Sequence, residues 1–286
     1  MSVSIARRSR RRLVAVAAVV AGVVVLGGLT PANASAAGTV GGTTADRQEP
    51  EHDHAMGSQI RRVEGTGAPD SIPPRGVFAE ATVPGLDVSG YQGNVNWADY
   101  YNQGYRFVYT KASEGTYYTN PYFTQQYNGS YDIGMIRGAY HFAIPSDSSG
   151  ATQAGYFLAN GGGWSADGRT LPGALDLEYN PYSGGDCYGL SPSAMTAWIK
   201  DFSDTYHART NKWPAIYTST SWWNECVNGD FSSTNPLWVA RYASSVGVLP
   251  YNWGFYTIWQ YSSDPIDQDS FNGGYDRLTA FATNHD

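Results

Sequence analysis

From Gly85 onward, short apolar runs recur along the chain, each bounded by Gly, Pro or polar clusters. Their length and their β-branched and aromatic content predict strands. They fall at residues 85–88, 106–111, 136–142, 172–178, 214–218, 237–242 and 256–261. Helical signals lie between the early ones. Asn96 is expected to cap a helix over 97–103 that Gly104 stops. Asn120 and Pro121 open a second helix that Gly134 ends, and Ser191 and Pro192 open a third running towards Arg209. Repeated strand–helix units predict a parallel sheet of the α/β class, and this many predict closure into a barrel. After Leu237 the helical signals thin out. The last strands are therefore expected to connect directly, giving an irregular barrel.

Ahead of Gly85 the texture differs. Arg7, Arg8, Arg10, Arg11 and Arg12 precede an almost unbroken apolar run from Leu13 to Leu29, followed by the small residues Ala32, Ala34, Ser35 and Ala36. This is the pattern of an export signal over 1–34, too short for a comfortable membrane span. Ser9-Arg10-Arg11 matches a twin-arginine signal only loosely, so either export route fits. Residues 35–84 are rich in Gly, Thr, Pro and charge and show no apolar period. They read as a linker or pro-segment without order of its own. His52 and His54 lie in this polar stretch and do not amount to a metal site. Residues 85–286 form the presumed single folded domain.

Charge narrows the choice of partner. Without the five arginines of residues 1–34 the net charge falls from −7 to −12, and from Gly85 onward nine basic face eighteen acidic residues, or −9. Such a surface argues against nucleic acid. It also offers no electrostatic help towards an anionic cell wall, so any attraction must arise from stacking and hydrogen bonds in a cleft. The chain carries 22 Tyr and 9 Trp, a supply of faces on which sugar rings stack. Cys187 and Cys226 are its two cysteines. In an oxidising compartment they are expected to form one disulfide, and their spacing does not suggest zinc.

The sharpest chemical feature is Asp176-Leu177-Glu178 at the end of the 172–178 run. On an extended segment two carboxylates at i and i+2 share a face, about 6–7 Å apart. Paired carboxylates in a cleft are suited to glycosidic bond cleavage. The other predicted strand ends carry Asp87, Lys111, Tyr140 with His141, Tyr217, Arg241 and Trp259-Gln260-Tyr261, with Asp267 beyond the last. In βα barrels chemistry sits at that rim. Several acids at one mouth raise at least one pKa, and Glu178, with the longer arm, is the expected proton donor beside Asp176. His141 alone reads better as a satisfied core histidine.

The motifs in chain order are GLDVSGYQG at 85–93, KASEG at 111–115, YYTNPYF at 117–123, RGAYHF at 137–142, LDLE at 175–178, LWVARY at 237–242, and IWQY at 258–261 followed by Ile266 and Asp267. Together they resemble family 25 of the glycoside hydrolases, lysozymes that cut peptidoglycan, across essentially all of residues 85–286. The resemblance implies a flattened, irregular β/α barrel of five βα units followed by three strands. It implies an N-acetylmuramidase cleaving the β-1,4 bond between N-acetylmuramic acid and N-acetylglucosamine, retaining and assisted by the substrate's acetamido group, with direct attack by a carboxylate as the open alternative. Its catalytic glutamate maps to Glu178, and the neighbouring aspartates to Asp176, Asp87 and Asp267. Two departures stand out. The family pattern V-D-x-N ends here in Asp269, an added acid, and Tyr91 stands where many members carry Trp.

Tyr140, Tyr217, Trp259 and Tyr261 are the candidate sugar contacts. Lys111 and Arg241 are candidates to meet a lactyl carboxylate, or, preferably, to pair with the aspartates of the mouth. No metal or cofactor is expected. The expected partner is bacterial peptidoglycan, met by a secreted monomer, with neither nucleic acid nor, after signal removal, membrane. A chitinase of the D-x-x-D-x-D-x-E type is disfavoured because Leu171 and Ala174 fill its two earlier acid positions. A catalytically inactive wall-binding module is the alternative of a different class, disfavoured by the four acids.

Overall fold

A computed structural model of the protein describes residues 53–66 and 82–284. The expected signal over 1–34 lies outside them. The strands are β1 (Val83–Val88), β2 (Phe107–Glu114), β3 (Tyr118–Thr119), β4 (Ile136–Phe142), β5 (Ala174–Asp176), β6 (Ala215–Ser219), β7 (Leu237–Ala240), β8 (Ile258–Ser262) and β9 (Gln268–Phe271). The helices are α1 (Ser58–Glu64), α2 (Trp97–Asn102), α3 (Phe123–Asp132), α4 (Gly150–Ala159), α5 (Pro192–Thr210), α6 (Thr220–Cys226) and α7 (Tyr275–Thr283).

The sheet runs β1-β9-β8-β7-β6-β5-β4-β2, and a β1–β2 pairing closes it into an eight-stranded barrel, with β3 a short flap on β2. Seven barrel strands are parallel. β9 is antiparallel to both β8 and β1, so its start lies at the mouth where the parallel strands end. Five βα units (β1–α2, β2–α3, β4–α4, β5–α5, β6–α6) precede the three directly connected strands β7, β8 and β9, as the resemblance implied.

Local chemistry accounts for the helix starts. Ser191 Oγ accepts from the Ala194 N–H ahead of Pro192 in α5, Ser149 Oγ from Thr152 in α4, and Ser219 Oγ from Trp222 in α6. Asn96 heads α2 but turns its amide to Asp99 Oδ2 at 2.8 Å instead of capping the backbone. α4 and α5 pack closely because Gly150 has no side chain. A Cβ there would lie 2.3 Å from the Trp198 carbonyl oxygen.

Inside the barrel, Tyr109, Tyr217 and Trp238 form a fully buried aromatic floor, with Trp238 4.7 Å from the Tyr109 ring and 5.3 Å from that of Tyr217. His141 faces the opposite way, between β4 and the helices. It meets Ser113 Oγ at 2.9 Å and Gln153 Oε1 at 3.1 Å and stacks on Phe202. Burial holds its pKa down at about 4, as befits a core residue. Cys187, after β5, is bonded to Cys226 at the end of α6.

One expectation needs correcting. Residues 53–66, within the stretch read as having no order, include α1 and are joined to the barrel mouth. Met56 and Ile60 are fully buried in the same apolar cluster as the barrel core. Two such side chains contribute roughly 1.5–3 kcal/mol each, enough to seat a short piece of chain without any repeating period.

Candidate active site

Period-two alternation along each strand decides which side chains face the mouth. Asp87 projects from β1, Lys111 from β2, Tyr140 from β4, Asp176 from β5 with Glu178 just beyond it, Tyr217 from β6 and Gln260 from β8. All are fully buried. Asp267 precedes β9, and Asp269 stands on it opposite Gln260 and Gly85.

The acids form one electrostatic group. The Asp87 N–H donates to the Asp267 carbonyl oxygen at 3.4 Å, and Gln260 Nε2 donates to Asp87 Oδ2 at 2.7 Å. Burial, followed by the fields of Asp267 and Asp269, pushes the Asp87 pKa well above the usual range. Asp269 is raised in the same way by burial and Asp267, with its Oδ1 accepting from Trp238 Nε1 at 3.1 Å. Burial and then Glu178 raise Asp176, whose oxygens meet no backbone or amide donor. Glu178 is raised by burial to about 7, against the pull of its neighbours. A carboxyl group poised near neutrality beside a second carboxyl can give and take a proton.

Residues 53–66 lie on this group. Gly57 N–H donates to Glu178 Oε1, while Gln59 and Ile60 N–H donate to Oε2 at 2.9 and 3.0 Å. Arg61 Nη1 pairs with Asp267 Oδ1 at 2.8 Å and reaches Tyr242 Oη at 3.3 Å. Met56 N–H donates to Tyr140 Oη at 3.2 Å.

Several sequence-derived positions change character. Lys111 does not pair with the aspartates of the mouth. Its Nζ sits 2.6 Å from Glu114 Oε2, 3.1 Å from Asp53 Oδ1 and 2.7 Å from the His54 carbonyl oxygen. Burial alone would raise Glu114, but Lys111 and His54 hold it at about 2. Arg241 is exposed, packs beside Gly247 and makes no ion pair among the described residues. Trp259 and Tyr261 alternate with Gln260 and so point away from the mouth. Trp259 Nε1 donates to the Arg241 carbonyl oxygen at 2.8 Å and Tyr261 Oη to Gln268 at 3.2 Å. Tyr140 and Tyr217 do face it.

Sequence reasoning missed the 53–61 stretch, and gave no role to Gln260, Tyr242 or Glu114 although each stands in a motif quoted above. For Gln260 the signal was present, since one residue's shift along β8 exchanges the two faces. Among the described residues no cluster of His, Cys, Asp or Glu is arranged to hold a metal, and no helix is long and apolar enough to cross a membrane.

The sequence model of glycosyl hydrolases family 25 matches residues 86–270. The chain belongs to this family. It is accordingly a glycoside hydrolase. Over 98% of both chains it is 42% identical to lysozyme M1 of Streptomyces globisporus. It is 51% identical to an N,O-diacetylmuramidase of Chalaropsis sp., aligning over 71% of this chain and the whole of the relative. Among solved structures, a muramidase from Acremonium alcalophilum is 56% identical, with a TM-score of 0.68, covering 70% of this chain and 99% of its own. The family model begins past residues 53–66.

Proposed function

We propose that this protein is a secreted lysozyme that hydrolyses the β-1,4 bond between N-acetylmuramic acid and N-acetylglucosamine in bacterial peptidoglycan, acting as a monomer. The observation that carries the reading is the buried Asp176–Glu178 pair at the end of β5, facing Asp87 and Asp267 at one barrel mouth. The named activities of the muramidase relatives point to the same bond, and the disulfide fits an oxidising destination outside the cell.

Glu178 in its acid form gives its proton to the glycosidic oxygen as the bond to the muramic acid C1 breaks. The acetamido carbonyl oxygen of that sugar closes on C1, and Asp176 holds the acetamido N–H and the positive charge that develops there. Water then attacks C1, the bond from C1 to the acetamido oxygen breaks to restore the acetamido group, and Glu178, now ionised, takes the proton of the water. Asp87, held by Gln260, and Asp267 add negative field beside the developing cation. Tyr140 and Tyr217 line the pocket. Of the other candidates, Trp259 and Tyr261 support the strand from behind, and Lys111 orders Glu114.

Reducing-end analysis of digested cell walls is the test. Muramic acid reducing ends are expected. N-acetylglucosamine ends would replace the reading with a glucosaminidase, and wall binding with no new ends would replace it with a binding module.

A further inference from the structure

We propose that residues 53–64 are an inhibitor built into the chain, so that the protein is made as a latent enzyme and becomes active when this segment leaves the mouth. The proposal rests on the muramidase reading above and concerns the regulation of the same site.

A linker passing over the barrel would leave the chemical groups open. This segment closes them one by one. Both oxygens of Glu178 are taken by the backbone N–H groups of Gly57, Gln59 and Ile60. Three donors fill three of about four acceptor positions on this carboxylate and favour the ionised form over the acid form that the first step needs. Arg61 covers Asp267. Met56 N–H occupies Tyr140 Oη. Asp53 and the His54 carbonyl oxygen engage Lys111, and the His54 ring packs 5.3 Å from Phe142 while its Nδ1 meets Glu114 Oε1 at 2.7 Å. Glu64 fastens the far end, accepting from Tyr179 Oη at 3.0 Å and from Ser219 Oγ.

Fit at the centre depends on one residue. Gly57 has φ +77°, and a Cβ there would stand 2.0 Å from Tyr242 Oη, 2.6 Å from Gln260 Oε1 and 2.7 Å from Tyr217 Oη. Only glycine brings the backbone this close to the floor of the cleft. The segment is therefore shaped and charged as a ligand for the site. Tethering strengthens it. A covalently linked peptide acts at an effective concentration of about 1 mM, so a segment that binds at about 10 µM when free leaves roughly 1% of chains open, and turnover falls about 100-fold.

The experiment compares wall hydrolysis by chains that keep residues 53–64, verified by mass, as wild type, Gly57→Val and Arg61→Ala, with wild type trimmed by limited proteolysis. A solved muramidase whose whole length matches only 70% of this chain supports a shorter form as a folded unit. Intact wild type is expected to be at least about 10-fold slower than trimmed enzyme, with Gly57→Val close to trimmed and Arg61→Ala between. A synthetic 53–64 peptide is expected to inhibit trimmed enzyme competitively at about 10–100 µM, and its Gly57→Val version is not. Seating is read without turnover by hydrogen exchange of the Gly57, Gln59 and Ile60 amides, slow in wild type and fast in Gly57→Val. Equal rates for intact and trimmed enzyme, or unprotected amides in wild type, would overturn the proposal. If no form releases reducing ends, the muramidase reading fails, and exchange with peptide binding still decides whether the segment occupies the mouth.

Discussion

Glu114 and Glu178 are both fully buried at one mouth, and their neighbours push them in opposite directions. Lys111 and His54 hold Glu114 at about 2 despite burial, so its contribution to stability is present above about pH 4.5 and lost as pH falls through 2. Burial lifts Glu178 to about 7, so its cost appears as pH rises from about 4.5 to 7. Asp87, Asp176 and Asp269 are raised too. Melting curves of the intact chain are therefore expected to peak in mildly acid solution and to decline towards pH 8; a midpoint rising steadily from pH 5 to 8 would contradict this. Asp269→Asn keeps the acceptor for Trp238 and removes a buried charge. It is expected to raise the melting temperature at pH 7 and to change it little near pH 4. In turnover by enzyme freed of residues 53–66, Glu178 has to carry its proton in the first step, so rates are expected to fall by up to about tenfold per pH unit once it ionises. The four acids were legible in the sequence. The face of β8 was not, because Trp259 and Tyr261 flank a glutamine that looks less like chemistry than they do. Gln260→Ala is expected to lower kcat/KM at least about 10-fold by freeing Asp87, and Trp259→Phe to leave it near wild type. The opposite ranking would restore Trp259 to the cleft.

At the scale of elements, seven strands were legible because buried parallel strands read as apolar runs bounded by turn residues. β9 was not: Gln268, Asp269 and Ser270 offer no such run, since Asp269 faces the acidic mouth. α4 starts on Gly150, chosen for close packing against α5 over helix propensity, and α6 is only seven residues long. Neither presents a clear period. The disulfide joins the loop after β5 to α6 across a sequence separation of 39. Its loop size corresponds to about 4 kcal/mol in the chain-entropy picture, or roughly 8–16 °C for a chain of this size. The double change Cys187→Ser with Cys226→Ser is expected to lower the melting temperature by about that much and to leave turnover at low temperature intact. An unchanged melting curve would remove the cross-link from the account of stability.

The whole molecule is a barrel whose parallel strands deliver acids to one end and whose antiparallel β9 returns two more to the same place. That arrangement followed from reading strand ends together. The seated segment did not, because it is held by backbone N–H groups, one arginine and two buried side chains, none of which makes a pattern along the chain. Hydrolysis by this mechanism requires Glu178 as proton donor, and the direct test is Glu178→Gln in enzyme freed of residues 53–66. Release of muramic acid reducing ends is expected to drop by at least about 10²–10⁴-fold with wall binding unchanged. Near-normal release by the variant would contradict the mechanism.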